Sequence, residues 1–179
     1  LAARRPEGTV YLGSFSKVLA PSLRLGYLVA PPELFPKLLQ AKQAADLHSP
    51  GFNQRVAHEV LRQGFLARHL PRVRALYRSQ RDAMLQALQA HFPEGGSHGL
   101  QWNVPGGGMF LWARLPEGLD AQDLLPRAVA HGVAFVPGAP FFAGEPDPRS
   151  LRLSFVTPDA EAIRRGVAAL AQAIREQTA

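Results

Sequence analysis

The feature that most constrains the fold is a strict alternation near the end of the chain. In "SLRLSF" (150–155), Leu151, Leu153 and Phe155 share one face, and Arg152 and Ser154 share the other. A period of two is the mark of a half-buried strand. Similar short runs flank it: "MFLWARL", Met109 to Leu115, and "VAFVPG" (133–138). Between them the period changes. Asp120 is placed to cap a helix running to His131, with Gly132 as its stop and Pro126 as an internal kink. A final helix is expected after Thr157 as cap and Pro158 as first residue, with Ile163, Val167, Leu170 and Ile174 as its buried stripe. Strands alternating with helices define a mixed α/β chain.

The first half carries the same signals. "TVYLGSF" (9–15) reads as a buried strand ending in a Gly/Ser turn, with Tyr11 in the core, and "LRLGYLVA", Leu23 to Ala30, reads as a second strand. Leu34, Leu38, Ala41 and Ala45 recur at helical spacing. Asp46 to Gln54 then interrupt, and a helix resumes through Val56, Val60 and Leu61 up to Gly64. Pro71 is expected to open a long amphipathic helix lined by Val73, Leu76, Tyr77, Met84 and Leu88. It ends before "FPEGGSHG" (92–99), a glycine-rich loop. The resulting organisation is a first domain over 1–70, a linking helix over 71–92 and a second domain over 93–179.

Composition narrows the function. With 179 residues the chain can bury a core. It has no cysteine, which removes thiolate chemistry and a disulfide framework. No apolar run reaches the ~18 residues of a membrane span, and a cytoplasmic location is expected. The net charge is +6, but arginines and acids are interspersed along the helices, which argues against a nucleic-acid surface. The six histidines show no metal-ligand spacing; His48, in the loop after a helix, is the most interesting of them. Trp102 and Phe110 are candidates for a substrate pocket or for plain core. The chain opens on Leu1, and is expected to be part of a longer protein.

One stretch stands apart. "GSFSK", Gly13 to Lys17, places one of only three lysines among twenty basic residues at the end of a strand. A turn lysine is ordinarily a solvated surface group. Open α/β sheets, however, place ligands at strand ends. A triphosphate-binding loop is excluded, because Ser16 rather than glycine precedes Lys17 and Val18 follows it. Another anion grip remains: Ser14 and Ser16 bring hydroxyls, and Arg24 brings a bidentate guanidinium seven residues on. A phosphate grip beside a lysine amine is what pyridoxal 5′-phosphate requires. Arginine could not replace that lysine, because a guanidinium stays protonated.

"SFSKVLAPSLRLGY" (14–27) resembles the cofactor-lysine signature of the class I/II aminotransferases of fold type I, in which Ser-x-x-Lys is followed seven or eight residues later by Arg. The resemblance implies that Lys17 is the lysine that bonds the cofactor, and that Ser14, Ser16 and Arg24 hold its phosphate. "PGGGMFLWARLP" resembles the glycine-rich strand start of the family's small domain, and "VAFVPGAPFF" resembles a loop covering the active site. "LRLSF" resembles the strand whose arginine, here Arg152, grips the substrate α-carboxylate. "ADLHSPGFNQ" and "GGMF…VAFVPG" look most like the 2-aminoadipate and kynurenine aminotransferase branch.

The implied fold is the end of a large mixed or parallel-sheet domain followed by a complete α+β small C-terminal domain. The implied activity is ping-pong transfer of an amino group from an L-amino acid (2-aminoadipate, aromatic or aliphatic) to a 2-oxo acid such as 2-oxoglutarate, by a homodimer. The acid at the pyridine nitrogen, the tyrosine at the ring oxygen and the stacking aromatic of that family would lie upstream of Leu1. The isolated chain is therefore expected to be inactive and to expose apolar surface along its first two strands. Two other readings stay open: an aminotransferase-like effector domain of a winged-helix transcriptional regulator, and a truncated, inactive relative.

Overall fold

The computed structural model describes residues 2–93 and 99–178. The chain divides into two compact units, Leu1–Val73 and Arg74–Ala179. Each is described by itself.

In the first unit, β1 (Tyr11–Ser14) and β2 (Gly26–Val29) form an antiparallel hairpin, with Tyr11 opposite Val29 and Ser14 opposite Gly26. Gly13 faces Tyr27 across it. A Cβ at Gly13 would lie 2.2 Å from the Tyr27 ring, so only glycine lets that ring lie across the strand. Tyr27 also contacts Phe15, with ring centroids 5.3 Å apart. Two helices follow, α1 (Phe35–Asp46) and α2 (Gly51–Arg62). The interruption between them is shorter than the sequence predicts, because Pro50 caps α2 and the helix is under way from Gly51. Among the described residues of this unit only Leu25, Pro31 and Ala57 are buried. Tyr11 is half exposed rather than core, and Leu12 (73%) and Val29 (62%) lie open. No third strand pairs with this ribbon among the described residues, and an isolated two-stranded hairpin buries little of its apolar surface.

The long helix α3 (Phe65–His91) begins six residues before Pro71. Gly64, at φ +67°, ends the preceding helix and lets α3 start at once. Pro71 is thus interior; it forfeits one backbone bond, and the helix continues on both sides of it.

The second unit is built on one antiparallel sheet in the order β3-β4-β6-β5, comprising β3 (Gln101–Trp102), β4 (Phe110–Arg114), β5 (Val136–Pro137) and β6 (Ser150–Ser154). Every strand pair in both sheets is antiparallel among the described residues, and the mixed α/β architecture is the expected one for the end of a large domain followed by an α+β small domain. Residues Leu111, Ala113, Leu151 and Leu153 are all within 5% of full burial. They form one core with Met84 and Leu88 of α3, Leu124 and Ala128 of α4 (Ala121–Ala130), and Ile163, Val167, Leu170 and Ile174 of α5 (Ala160–Thr178).

Asp120 caps α4 through its carboxylate, which accepts from the Gln122 N–H at 2.6 Å, and Gly132 follows at φ +84°. The cap of α5 is Asp159, not Thr157: its carboxylate accepts from the Ala162 N–H at 2.8 Å. Pro158 stands before the helix, where its carbonyl accepts from the buried Gln80 amide at 2.7 Å. Of the glycine-rich boundary expected over 92–99, residues 94–98 lie outside the described residues.

Candidate active site

The lysine lies in a loop whose shape follows from local hydrogen bonds. Beyond the last paired residues of β1 and β2, the Phe15 N–H donates to the Leu25 carbonyl at 3.1 Å and closes the ring of residues between them. Within that ring, the Leu19 and Ala20 N–H groups both donate to the Phe15 carbonyl, at 2.9 and 3.1 Å, which winds Ser16 to Val18 into a turn. The return passes through the Pro21–Leu23 helical turn to Arg24. The Asn53 side chain of α2 pins it by donating to the Leu23 carbonyl at 3.0 Å. Ser14, Ser16, Lys17 and Arg24 therefore share one end of the hairpin.

The hydrogen bonding at this end is incomplete. The Ser14 hydroxyl oxygen accepts from the Ser16 N–H at 3.2 Å, which leaves its proton to donate elsewhere. Lys37 donates to Gln40, and Lys42 donates to Asp46 and Ser49. Lys17 is the one lysine whose side chain has no partner among the described residues, and the Arg24 guanidinium has none either, its backbone N–H alone donating to the Pro21 carbonyl at 3.2 Å. Arg24 also adopts the left-handed conformation, at φ 51° and ψ 39°, one of two non-glycine residues to do so among the described residues. That conformation costs about 1 kcal/mol for a residue with a Cβ. A strained, unpaired arginine beside an unpaired lysine and two hydroxyls is a donor set made for a dianion. It fits the phosphate and aldehyde of pyridoxal 5′-phosphate.

In the second unit, the core fixes Arg152. Leu151 and Leu153 point inward, so Arg152 emerges on the opposite face of β6, directly across from Trp112 of β4. Phe110, two residues from Trp112 on the same face, lies under the Arg152 guanidinium with its centroid 4.1 Å from Cζ. Phe141, from the Ala139–Phe141 helical turn, lies 4.8 Å from the same carbon. Neither an acid nor a hydrogen-bond acceptor engages Arg152 among the described residues.

Two neighbouring arginines behave differently. Arg114 Nε donates to Asp147 at 2.6 Å, and Arg149 offers Asp147 its backbone N–H at 3.1 Å. Burial pushes the Asp147 carboxyl up. The Arg149 N–H, the Arg114 hydrogen bond and both positive charges outweigh it, so the group titrates below the usual carboxylate range.

The sequence-derived residues thus fall into two groups: Ser14, Ser16, Lys17 and Arg24 in the first unit, and Arg152 in the second. Phe110, weighed as pocket or core, is 37% exposed and lies against Arg152. Trp102 is partly buried against the core. His48 contacts the Ser49 carbonyl at 3.1 Å and lines a recess of about 460 Å³ with Tyr27 and Lys42. The sequence placed Phe141 within the loop "VAFVPGAPFF" (133–142) without singling it out, and did not single out Trp112. The available signal was the "PFF" run (140–142), but nothing local ties it to residue 152.

No protein-family model matches the sequence. Relatives of known description do. The chain is 50% identical over 168 residues to a 2-aminoadipate transaminase of Thermus thermophilus, covering 94% of the chain and 41% of that protein. It is 45% identical over 172 residues to aromatic-amino-acid aminotransferase 1 of Thermococcus litoralis, covering 96% and 40%. A crystal structure of an alpha-aminoadipate aminotransferase from Thermus thermophilus, complexed with N-(5′-phosphopyridoxyl)-L-leucine, superposes with a TM-score of 0.90 at 47% identity, covering 99% of this chain and 44% of that one. The chain spans about two fifths of the length of the curated relatives it matches. The fold is that of the fold type I, pyridoxal-phosphate-dependent proteins. Over this length the chain is homologous to aminotransferases of that fold, class I/II.

Proposed function

We propose that this chain is part of a pyridoxal-phosphate-dependent transaminase, one that moves an amino group between an L-amino acid (2-aminoadipate, aromatic or aliphatic) and a 2-oxo acid such as 2-oxoglutarate. The observation that carries this reading is the pairing of lysines: two of three are engaged locally, and Lys17 alone is left free beside Ser14, Ser16 and the strained Arg24.

In this reading Ser14, Ser16 and Arg24 hold the cofactor phosphate by charge-assisted hydrogen bonds. When bound, the cofactor supplies an electron sink for the charge left at the substrate α-carbon. Lys17 Nζ holds the cofactor until substrate arrives, then takes the α-proton and delivers it back as general base and acid. Arg152 binds the α-carboxylate in a bidentate fork, which orients the Cα–H bond. The assembly is a homodimer, as the family resemblance implies. The regulator and truncated-relative readings are not needed to account for these residues.

The test is an absorbance titration of the full-length protein with pyridoxal 5′-phosphate. A near-visible band is expected in the wild type and not in Lys17→Ala. A band that persists unchanged in Lys17→Ala would overturn the assignment. A dimeric mass in solution is expected in the same preparation; a monomer would remove the dimer from the proposal.

A further inference from the structure

The aromatic residues around Arg152 have no role in the reaction as described so far. They lie on the solvent side of the sheet, opposite the core, where burial does not demand them. Phe110 and Phe141 are 37% and 52% exposed, and both have their ring centroids within 5 Å of the Arg152 Cζ. Trp112 backs Phe141 edge-on, with centroids 5.9 Å apart, and also meets Phe142 at 6.3 Å. A guanidinium is planar. Rings packed against its flat surface are attracted by the charge and exclude water there, and the N–H edge stays open. An arginine side chain otherwise surrenders much of its rotamer freedom when a ligand fixes it. Here no acid competes for the edge, whereas Arg114 and Arg149 next door are both tied to Asp147.

We propose that Phe110 and Phe141 are positioning residues for Arg152. They hold its guanidinium by cation–π contact, so that a substrate carboxylate meets an edge already oriented and partly dried. The inference rests on the reading of Arg152 as the carboxylate ligand. It adds that affinity for the carboxylate is set by aromatic rings that do not touch it.

The experiment uses the full-length holoenzyme and measures KM for the amino-acid substrate. Phe110→Leu and Phe141→Leu keep bulk and apolarity but remove the π face. Each is expected to raise KM about two- to fivefold, the equivalent of one partly exposed cation–π contact. Phe→Tyr at either position, which keeps the ring, is expected to restore wild-type KM. The same Leu changes are then made in an Arg152→Gln background. There they are expected to have no further effect on KM, because the group they position is gone. If Arg152→Gln itself leaves KM unchanged, the carboxylate reading fails and takes this inference with it. If Arg152→Gln raises KM but the Leu variants do not, or if their effect persists in the Arg152→Gln background, only the positioning role is overturned. Circular dichroism of each variant identifies any that fail to fold. For a position where the Leu variant fails, Phe→Met replaces it and is held to the same outcomes.

Discussion

Gly138→Ala separates steric from conformational reasons for a glycine. Gly138 sits at φ −82° and ψ −22°, an ordinary right-handed conformation that alanine adopts freely. Space is the only obstacle. A Cβ there would lie 2.2 Å from Ser150 Oγ, 2.8 Å from Ser150 Cβ and 2.8 Å from Trp112 Cη2. None of these can yield easily. Ser150 is 1% exposed, its hydroxyl donates to the Asp147 carbonyl at 2.7 Å, and its own carbonyl accepts from the Gly138 N–H at 2.7 Å. Forcing a methyl into a packed site costs about 1–3 kcal/mol. If Ser150 rotates away, its buried hydroxyl bond is lost for about 1 kcal/mol more. The expected loss is therefore about 2–4 kcal/mol. Urea denaturation followed by circular dichroism reads the loss, and fluorescence of Trp102 and Trp112, both in the second unit, follows that unit. Since Gly138 starts the turn that carries Phe141, KM for the amino acid should rise in parallel. In a Ser150→Gly background two of the three contacts disappear, and the cost of Gly138→Ala should fall by at least about 1 kcal/mol. A Gly138→Ala protein within about 0.5 kcal/mol of wild type would refute the argument.

Three further outcomes are expected. Arg24→Gly should relieve the left-handed backbone and raise apo-protein stability by about 1 kcal/mol, yet weaken pyridoxal phosphate binding at least about tenfold; unchanged affinity by titration would remove Arg24 from the phosphate grip. Asp147 titrates below its unfolded value, so its contribution is present above the unfolded carboxyl range and is lost as pH falls through the depressed folded value; Asp147→Asn should flatten the acid limb of a stability–pH curve, and an unaltered limb would contradict this. In the isolated chain, amides of β1 and β2 should exchange faster than those of β4 and β6, because the hairpin buries only Leu25 whereas the sheet sits on a full core; equal protection by hydrogen exchange would disprove it.

The legible parts of the fold are those in which one periodicity decides the outcome. Leu151, Leu153 and Phe155 announced β6, and Ile163, Val167, Leu170 and Ile174 announced α5, because each set is buried by a single continuous face. Local rules failed where two of them competed. Pro71 looked like a helix start, but Gly64 already supplied the stop for α2, and α3 absorbed the proline. Thr157 looked like a cap, but Asp159, nearer the helix, accepts the N–H instead. β3 has two residues and carries no period at all. At the site, Ser14, Ser16, Lys17 and Arg24 were readable because they fall within one loop. The clamp on Arg152 was not, because Phe141 reaches it through a tertiary contact that no spacing rule encodes.

The orientation of Arg152 is inherited from the core rather than specified at the site. β4 and β6 pair with Leu111 opposite Leu153 and Ala113 opposite Leu151, all of them buried. That register forces Trp112 and Arg152 together on the other face, with Phe110 diagonal to Arg152. A slip of one residue along β6 would turn Leu151 and Leu153 outward and bury Arg152 with no acid in reach. Exposing the leucines forfeits about 1.5–3 kcal/mol each, and an unpaired buried charge costs several more. The aromatic contacts, at about 0.5–1 kcal/mol each in a partly exposed setting, are too weak to oppose or to enforce that choice. They act only after the core has set the register. Substitutions at Phe110 or Phe141 should therefore alter ligand affinity with little effect on folding, whereas Leu151→Ala or Leu153→Ala should cost about 2–5 kcal/mol of stability before any loss of binding is seen.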